Sequence, residues 1–249
     1  MQHIWVICRR EINAFFDSLM AYIMLIVFLG LSGLFTWIMG GNDIFFVGQA
    51  SLGSFFGVAF WTLFFFIPAI TMRMMAEEER DGTMELLATK PVSPFQIVAG
   101  KWLAAWSLVL ISLALTLPYY ITVANLGPID HGATISGYIA LALISGVYTS
   151  IGIFASSLTS NQIVAFIVSL FIAFFFQMLF SQLATLLPSW LSHIAEYLSL
   201  NQHYQEMSRG VIGLSTIVYF VSLILIGFLL ATVSIKRRRW YYELVPGIS

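Results

Sequence analysis

Few residues in this chain have the types and spacing that do chemistry. Two His-x-x-Glu pairs, His193/Glu196 and His203/Glu206, have a spacing that sets two metal ligands on one helical face. No cysteine joins them and the pairs lie ten residues apart, so polar groups on interfacial helices are the favoured reading. Arg209 would then pair with Glu206, Glu196 or an anionic headgroup. The chain has no Gly-x-x-x-x-Gly-Lys-Ser/Thr phosphate loop, so it does not bind or split ATP by that route. The single Cys8 rules out an intrachain disulfide. What remains is a charge cluster: Arg73, Glu77, Glu78, Glu79, Arg80, Asp81, Glu85 and Lys90 hold more than a third of all formal charge.

Local propensities shape this cluster into a broken helix. Ala, Met, Glu and Arg favour helix through Met74 to Asp81, and Gly82 can end it at positive φ. Thr83 can cap a short helix over 84–89, with Glu85 in its first turn and Leu86 and Leu87 as an apolar knuckle. Pro91 ends that piece. Ser93-Pro94-Phe95-Gln96 then has the capping-box arrangement, which starts the next helix near Pro94.

Long apolar elements must position these charges. Of the 249 residues 59% are hydrophobic and 9% charged, and mean hydropathy is +0.91, which excludes a soluble protein. Charge-free gaps at 18–42, 44–72, 102–129, 131–195 and 210–235 each exceed the roughly 20 residues a transmembrane helix needs. The fourth is long enough for two spans and is interrupted by Ser156-Ser157-Leu158-Thr159-Ser160-Asn161-Gln162, which suits a turn at a membrane face. Six helices are predicted, at 19–39, 52–72, 102–123, 135–156, 163–187 and 214–235. A β-barrel is excluded because the runs show no apolar/polar alternation. With both termini inside, ten of the eleven Lys and Arg residues fall on the inner face and only Arg209 outside, a strong positive-inside bias.

Before the first span, helical projection of residues 4–19 groups Ile4, Trp5, Cys8, Ile12, Phe15, Phe16 and Leu19, with Arg9, Arg10, Asn13 and Asp17 beyond them. This is an interfacial elbow helix over 1–18, with cations turned toward anionic lipid. Residues 188–213 interleave apolar and polar side chains as two short interfacial or re-entrant helices, with Ser189 and Ser199 as caps. No formal charge falls within the predicted spans, which argues against ion-coupled transport and charged filters. Pathway or dimer positions are then limited to residues such as Trp61, Phe65, Gln177 and Gln182. Pro68 and Pro118 are expected to kink spans two and three.

Glu77-Glu78-Glu79-Arg80-Asp81-Gly82-Thr83-Met84-Glu85-Leu86-Leu87-Ala88-Thr89-Lys90-Pro91-Val92-Ser93, followed by Gly100-Lys101, resembles the loop of ABC-2 type ABC transporter permeases. The resemblance covers residues 1–240 and implies an all-α, six-span membrane domain, with a coupling helix in the 73–100 loop and external helices at 188–213. It leaves 241–249 as a tail with no recognisable signal, readable as an artificial extension. It implies that Glu77, Glu78, Glu79, Arg80 and Asp81 contact a separate cytoplasmic ATPase, that Gly82, Thr83, Glu85, Pro91 and Ser93 shape the loop, and that Leu86 and Leu87 fill a groove. ATP and Mg would be bound by that partner, and the permease itself would be no enzyme and carry no cofactor. The blocks at 203–212 and 219–220, with Arg237-Arg238-Arg239-Trp240, are most similar to the gliding-motility-associated subgroup. That subgroup implies an auxiliary membrane protein with an extracytoplasmic domain beside the ATPase, and the ABC-2 resemblance implies a bacterial inner membrane location and a second permease copy or related permease. No nucleic acid partner is expected. The alternative from another class is a mechanical anchor of an envelope assembly that transports nothing.

Overall fold

A computed structural model describes residues 2–39, 50–83, 92–186 and 188–244. The described residues form helices and no strands: α1 (Gln2–Asp17), α2 (Leu19–Trp37), α3 (Gly53–Arg80), α4 (Pro94–Ala114), α5 (Leu117–Leu126), α6 (His131–Ser157) and α7 (Gln162–Phe174). A wider π-turn at Phe175–Leu179 leads into α8 (Phe180–Leu186), and then come α9 (Ser189–Leu198), α10 (Leu200–Ser208) and α11 (Leu214–Leu244). Among the described residues, six stretches are long and apolar enough to cross a membrane: Leu19–Trp37, Gly53–Arg80, Pro94–Leu126, His131–Ser157, Gln162–Leu186 and Leu214–Arg237. These are spans one to six below.

Side-chain caps set several boundaries. Ser93 Oγ accepts the Gln96 N–H at 3.3 Å and Gln96 Oε1 accepts the Ser93 N–H at 3.0 Å, the expected capping box. Asp130 caps α6 through the Ala133 N–H at 3.0 Å, and Asn161 caps α7 through Ile163 and Val164. Ser199 caps α10, but Ser189 does not cap α9, where Pro188 holds the N-cap position with no side-chain bond.

Two expectations about the spans are corrected. Span three begins at Pro94, as the capping box predicts, and its helix takes in Lys101. It breaks at Leu115–Thr116 instead of kinking at Pro118, because Pro118 falls in the first turn of α5, where a missing N–H leaves no rung unmade. Span six continues as helix to Leu244, through the basic run and into the tail.

The bundle is built around span four. Of its most apolar stretch 78% is buried, against 61% for span two and 22–33% for the other four. In lipid, helices associate by close packing and interhelical hydrogen bonds, which favours small residues at the contact. A Cβ at Gly137 would lie 2.6 Å from the Phe56 ring, and one at Gly152 would lie 2.0 Å from Thr71 Oγ1, so span two packs along one glycine-bearing face of span four. On another face the indoles of Trp102 and Trp106 donate to the Gly146 and Ala142 carbonyls at 3.1 and 2.9 Å.

At the far end of span two, α10 is tied into the bundle. Tyr204 stacks on Phe60 at 4.3 Å and its hydroxyl donates to the Phe56 carbonyl at 2.8 Å. His203 is buried, with its ring 4.2 Å from that of Tyr219 and Nε2 2.8 Å from the Tyr197 carbonyl.

Candidate functional site

The end of span two that enters the charged loop is the densest polar site among the described residues. Three elements meet there: α1, the last turns of α3 and the first turns of α4. The contact between α1 and α4 needs Gly100, because a Cβ there would sit 2.7 Å from Ile7 Cβ and 3.0 Å from the Ile4 carbonyl. This docking turns Ile7, Cys8 and Phe15 inward, with Glu11 beside them. Trp5 remains 65% exposed. The protein-facing side of α1 is thus rotated from the predicted arc and carries an acid.

Lys101 follows Gly100 and is 1% exposed. Its ammonium has three protons and meets three acceptors: the Met74 carbonyl at 2.7 Å, Glu11 Oε1 at 3.1 Å and Glu78 Oε1 at 2.9 Å. Arg10 bonds the same two carboxylates, at 2.5 Å to Glu11 and 2.8 Å to Glu78. Two cations and two anions therefore neutralise one another where three helices join. Arg10, expected to face lipid, faces this cluster. Burial alone would raise the Glu11 pKa, but Lys101 and Arg10 outweigh it and hold the carboxyl below its ordinary value. For Arg10 burial opposes the charge, and Glu11 and Glu78 more than compensate, so its pKa is raised. Burial, helped by Glu11, pushes the Cys8 thiol up, which disfavours its thiolate. Beside the cluster lies a cavity of about 310 Å³, also bordered by Arg73, Glu77, Asp81 and Thr83.

The loop residues singled out from sequence divide by direction. Glu77 pairs with Arg73 one turn back at 3.0 Å and lies 3.9 Å from Arg80, which also reaches Asp81 at 3.1 Å. Glu78 points into the four-charge cluster, and its Oε2 is buried with no hydrogen-bond partner. Glu79 is half-buried. Arg80, Asp81, Gly82 and Thr83 are exposed. Gly82 has φ of 68°, as expected for the end of α3, and the Thr83 hydroxyl donates back to the Glu78 carbonyl at 3.2 Å. Glu85, Leu86, Leu87 and Pro91, with the expected coupling helix, lie outside the described residues. Ser93 is the cap of span three.

The four intramembrane positions are not brought together. Trp61 and Phe65 share one exposed face, beside an apolar groove of about 360 Å³ shared with Leu31 and Phe35 of span one. Gln177 is buried within the π-turn and accepts from the Tyr148 hydroxyl at 2.5 Å. Gln182 is exposed. At the other end of the bundle, His193 is exposed and His203 buried, so the two His-x-x-Glu pairs do not converge. No group of three His, Cys, Asp or Glu among the described residues could hold a metal. Glu206 engages Gln202 at 3.3 Å and Thr216 at 3.5 Å, not Arg209.

Each carboxylate of the junction cluster is paired with both cations. The cluster is suited to joining helices. Sequence reasoning missed Arg10, Glu11 and Lys101 as a unit, although the capping box at Ser93 places Lys101 about two turns inside a helix, which was a usable signal.

Over residues 42–236 the sequence matches the family model described as ABC-2 family transporter protein. The chain belongs to the ABC-2 family. It is a multi-pass membrane subunit of a transporter, and ABC-2 permeases normally work with an ABC ATPase as partner. No curated relative matches the sequence. The family match runs from just before span two to the end of span six, so α1 lies outside it, and the Glu11–Lys101 pair ties an unmatched element to the matched ABC-2 body.

Proposed function

We propose that this ABC-2 chain is the permease subunit through which a separate cytoplasmic ATPase drives export of a substrate or the action of an envelope complex, with a link to gliding motility. The observation that carries the reading is the construction of the loop's root. Span two continues as helix to Arg80, ends at a left-handed Gly82 and is pinned at Met74 and Glu78 to α1 and span three. A lever needs such a root, because a push on a frayed segment would be absorbed locally. The positive-inside bias supports a cytoplasmic position for this end and for both termini, and in this reading the membrane is a bacterial inner membrane. The loop would dock the ATPase through Arg80, Asp81 and Thr83, with Glu77 and Glu79 flanking and Leu86 and Leu87 as buried anchors within a polar rim. Glu78 would act from inside, holding the lever.

A second permease copy or related permease completes the pathway in this reading, and an auxiliary membrane protein with an extracytoplasmic domain joins the complex. The partner ATPase holds ATP and Mg. The test is capture of the ATPase from native membranes by affinity-tagged chain. Leu86→Asp/Leu87→Asp or Gly82→Pro is expected to abolish capture, and unchanged co-purification of the ATPase overturns the reading. ATP-dependent substrate movement in vesicles reconstituted with the complex separates export from mechanical anchoring.

A further inference from the structure

Most hydroxyls inside these spans bond their own helix. Ser145, Ser150 and Ser157 donate to carbonyls three residues back, at 2.8, 2.8 and 2.7 Å, and Thr149 to one four residues back at 2.7 Å. Ser156, near the end of span four, reaches across to span two. Its Oγ accepts the Met75 and Ala76 N–H groups at 3.1 and 3.0 Å and donates to the Met72 carbonyl at 2.8 Å. A hydroxyl has one proton and two lone pairs, and all three are used. Met72 and Ala76 are the two ends of one rung of the helix ladder, so the Ser156 side chain bonds both ends of a turn in its neighbour. One turn earlier Gly152 lies against Thr71 too closely to admit a Cβ. Two residues inside the same turn, the Met74 carbonyl receives Lys101 from span three.

We infer that Ser156 is a positioning residue that carries movement of the loop into span four. Residues 72–76 lie between the membrane part of span two and the lever at 77–83. Met74, Met75 and Ala76 are buried among their neighbours. Tied through its backbone to the Ser156 hydroxyl of the most buried helix, the segment passes displacement on to span four. The inference rests on the ATPase-coupling reading for its driving force, whereas the strap itself rests on geometry alone.

The experiment has two arms. In the first, hydrogen–deuterium exchange is measured on the full chain in nanodiscs without partner. Ser156→Ala is expected to speed exchange at the Met75 and Ala76 amides on the order of threefold to tenfold, the range set by losing one net hydrogen bond. Ser157→Ala, whose hydroxyl serves only its own helix, leaves them unchanged. Equal exchange in Ser156→Ala and the unsubstituted chain overturns the strap even if coupling stands. In the second arm, a spin label is placed at Ile135→Cys, on the exposed other end of span four, in a Cys8→Ala background, and the chain is complexed with its captured ATPase. Trapping with ATP, Mg and vanadate is expected to shift the label-to-label distance. Ser156→Ala and Ser156→Gly keep ATPase capture and hydrolysis but lose at least half of that shift, and Ser156→Thr, which keeps the hydroxyl, restores it. A full shift in both hydroxyl-free variants overturns the inference alone. No shift in the unsubstituted complex overturns it together with the coupling reading.

Discussion

Replacing Lys101 by Met tests the junction most directly. The side chain is 1% exposed and its partners Glu11 and Glu78 are 13% and 17% exposed, so the pairings lie largely away from water. With Lys101 present, two cations face two anions. With Met, only the half-exposed Arg10 remains against both carboxylates, leaving one net negative charge on two mostly buried groups. Breaking a buried pair by removing one partner costs about 3–5 kcal/mol, because the orphaned charge keeps its desolvation penalty. The small residual exposure of both carboxylates places this site near the lower end, about 3 kcal/mol. The Met74 carbonyl also loses its side-chain donor. Adding Glu78→Gln restores neutrality, so the double variant should be more stable than Lys101→Met alone. Reversible unfolding in mixed detergent micelles, followed by intrinsic fluorescence, measures both. A loss below about 1 kcal/mol, the value of an exposed pair, would refute the reasoning, as would simple additivity of the two substitutions.

The pH dependence follows from the same cluster. The Glu11 pKa is lower in the folded chain than its ordinary value of 4.5, so the unfolded chain binds more protons near that value and stability rises with pH through that window. The Glu11 contribution should be complete at neutral pH and be lost as pH falls below the usual carboxylate range; an acid titration of unfolding midpoints that Glu11→Gln does not flatten would contradict this. Gly152→Val should destabilise the bundle by about 1–3 kcal/mol or more through overpacking on Thr71, visible as loss of monodisperse protein on heating. Gly82→Ala should cost about 1–2 kcal/mol of local strain at positive φ, with no clash since nothing lies within 4 Å; weakened ATPase capture with unchanged bundle stability is the expected pair of readouts. Gln177→Leu should strand the Tyr148 hydroxyl at a cost of about 1–3 kcal/mol, and Tyr148→Phe in the same chain should recover most of it, as a double-mutant unfolding cycle would show.

Elements whose cause is local could be read from residue order. The spans follow from runs without charge, the start of span three from Ser93-Pro94-Phe95-Gln96, the end of span two from Gly82, and the turn after Ser157 from its polar run. Where the signal was local but weak, the reading slipped. The charge-free gap begins just after Lys101 whereas the helix begins at Pro94, because a charge that finds partners inside the protein does not end a helix. The elbow's apolar arc was drawn for a helix lying on lipid, and docking on Gly100 rotates it so that Glu11 is protein-facing. The π-turn at Phe175–Leu179 has no signature in residue order.

Residue order alone therefore determined an all-helical membrane chain with six spans, a charged loop and its caps, because hydropathy, capping and positive φ act within a few residues. It also listed every charge. Tertiary structure decided which charges are partners: Lys101 lies 90 residues from Glu11 and 27 from Met74, and Ser156 lies 80 from Ala76. Such pairings have no periodicity to betray them. They exist because a buried ammonium or hydroxyl must find acceptors, and which ones it finds depends on which helices are pressed together.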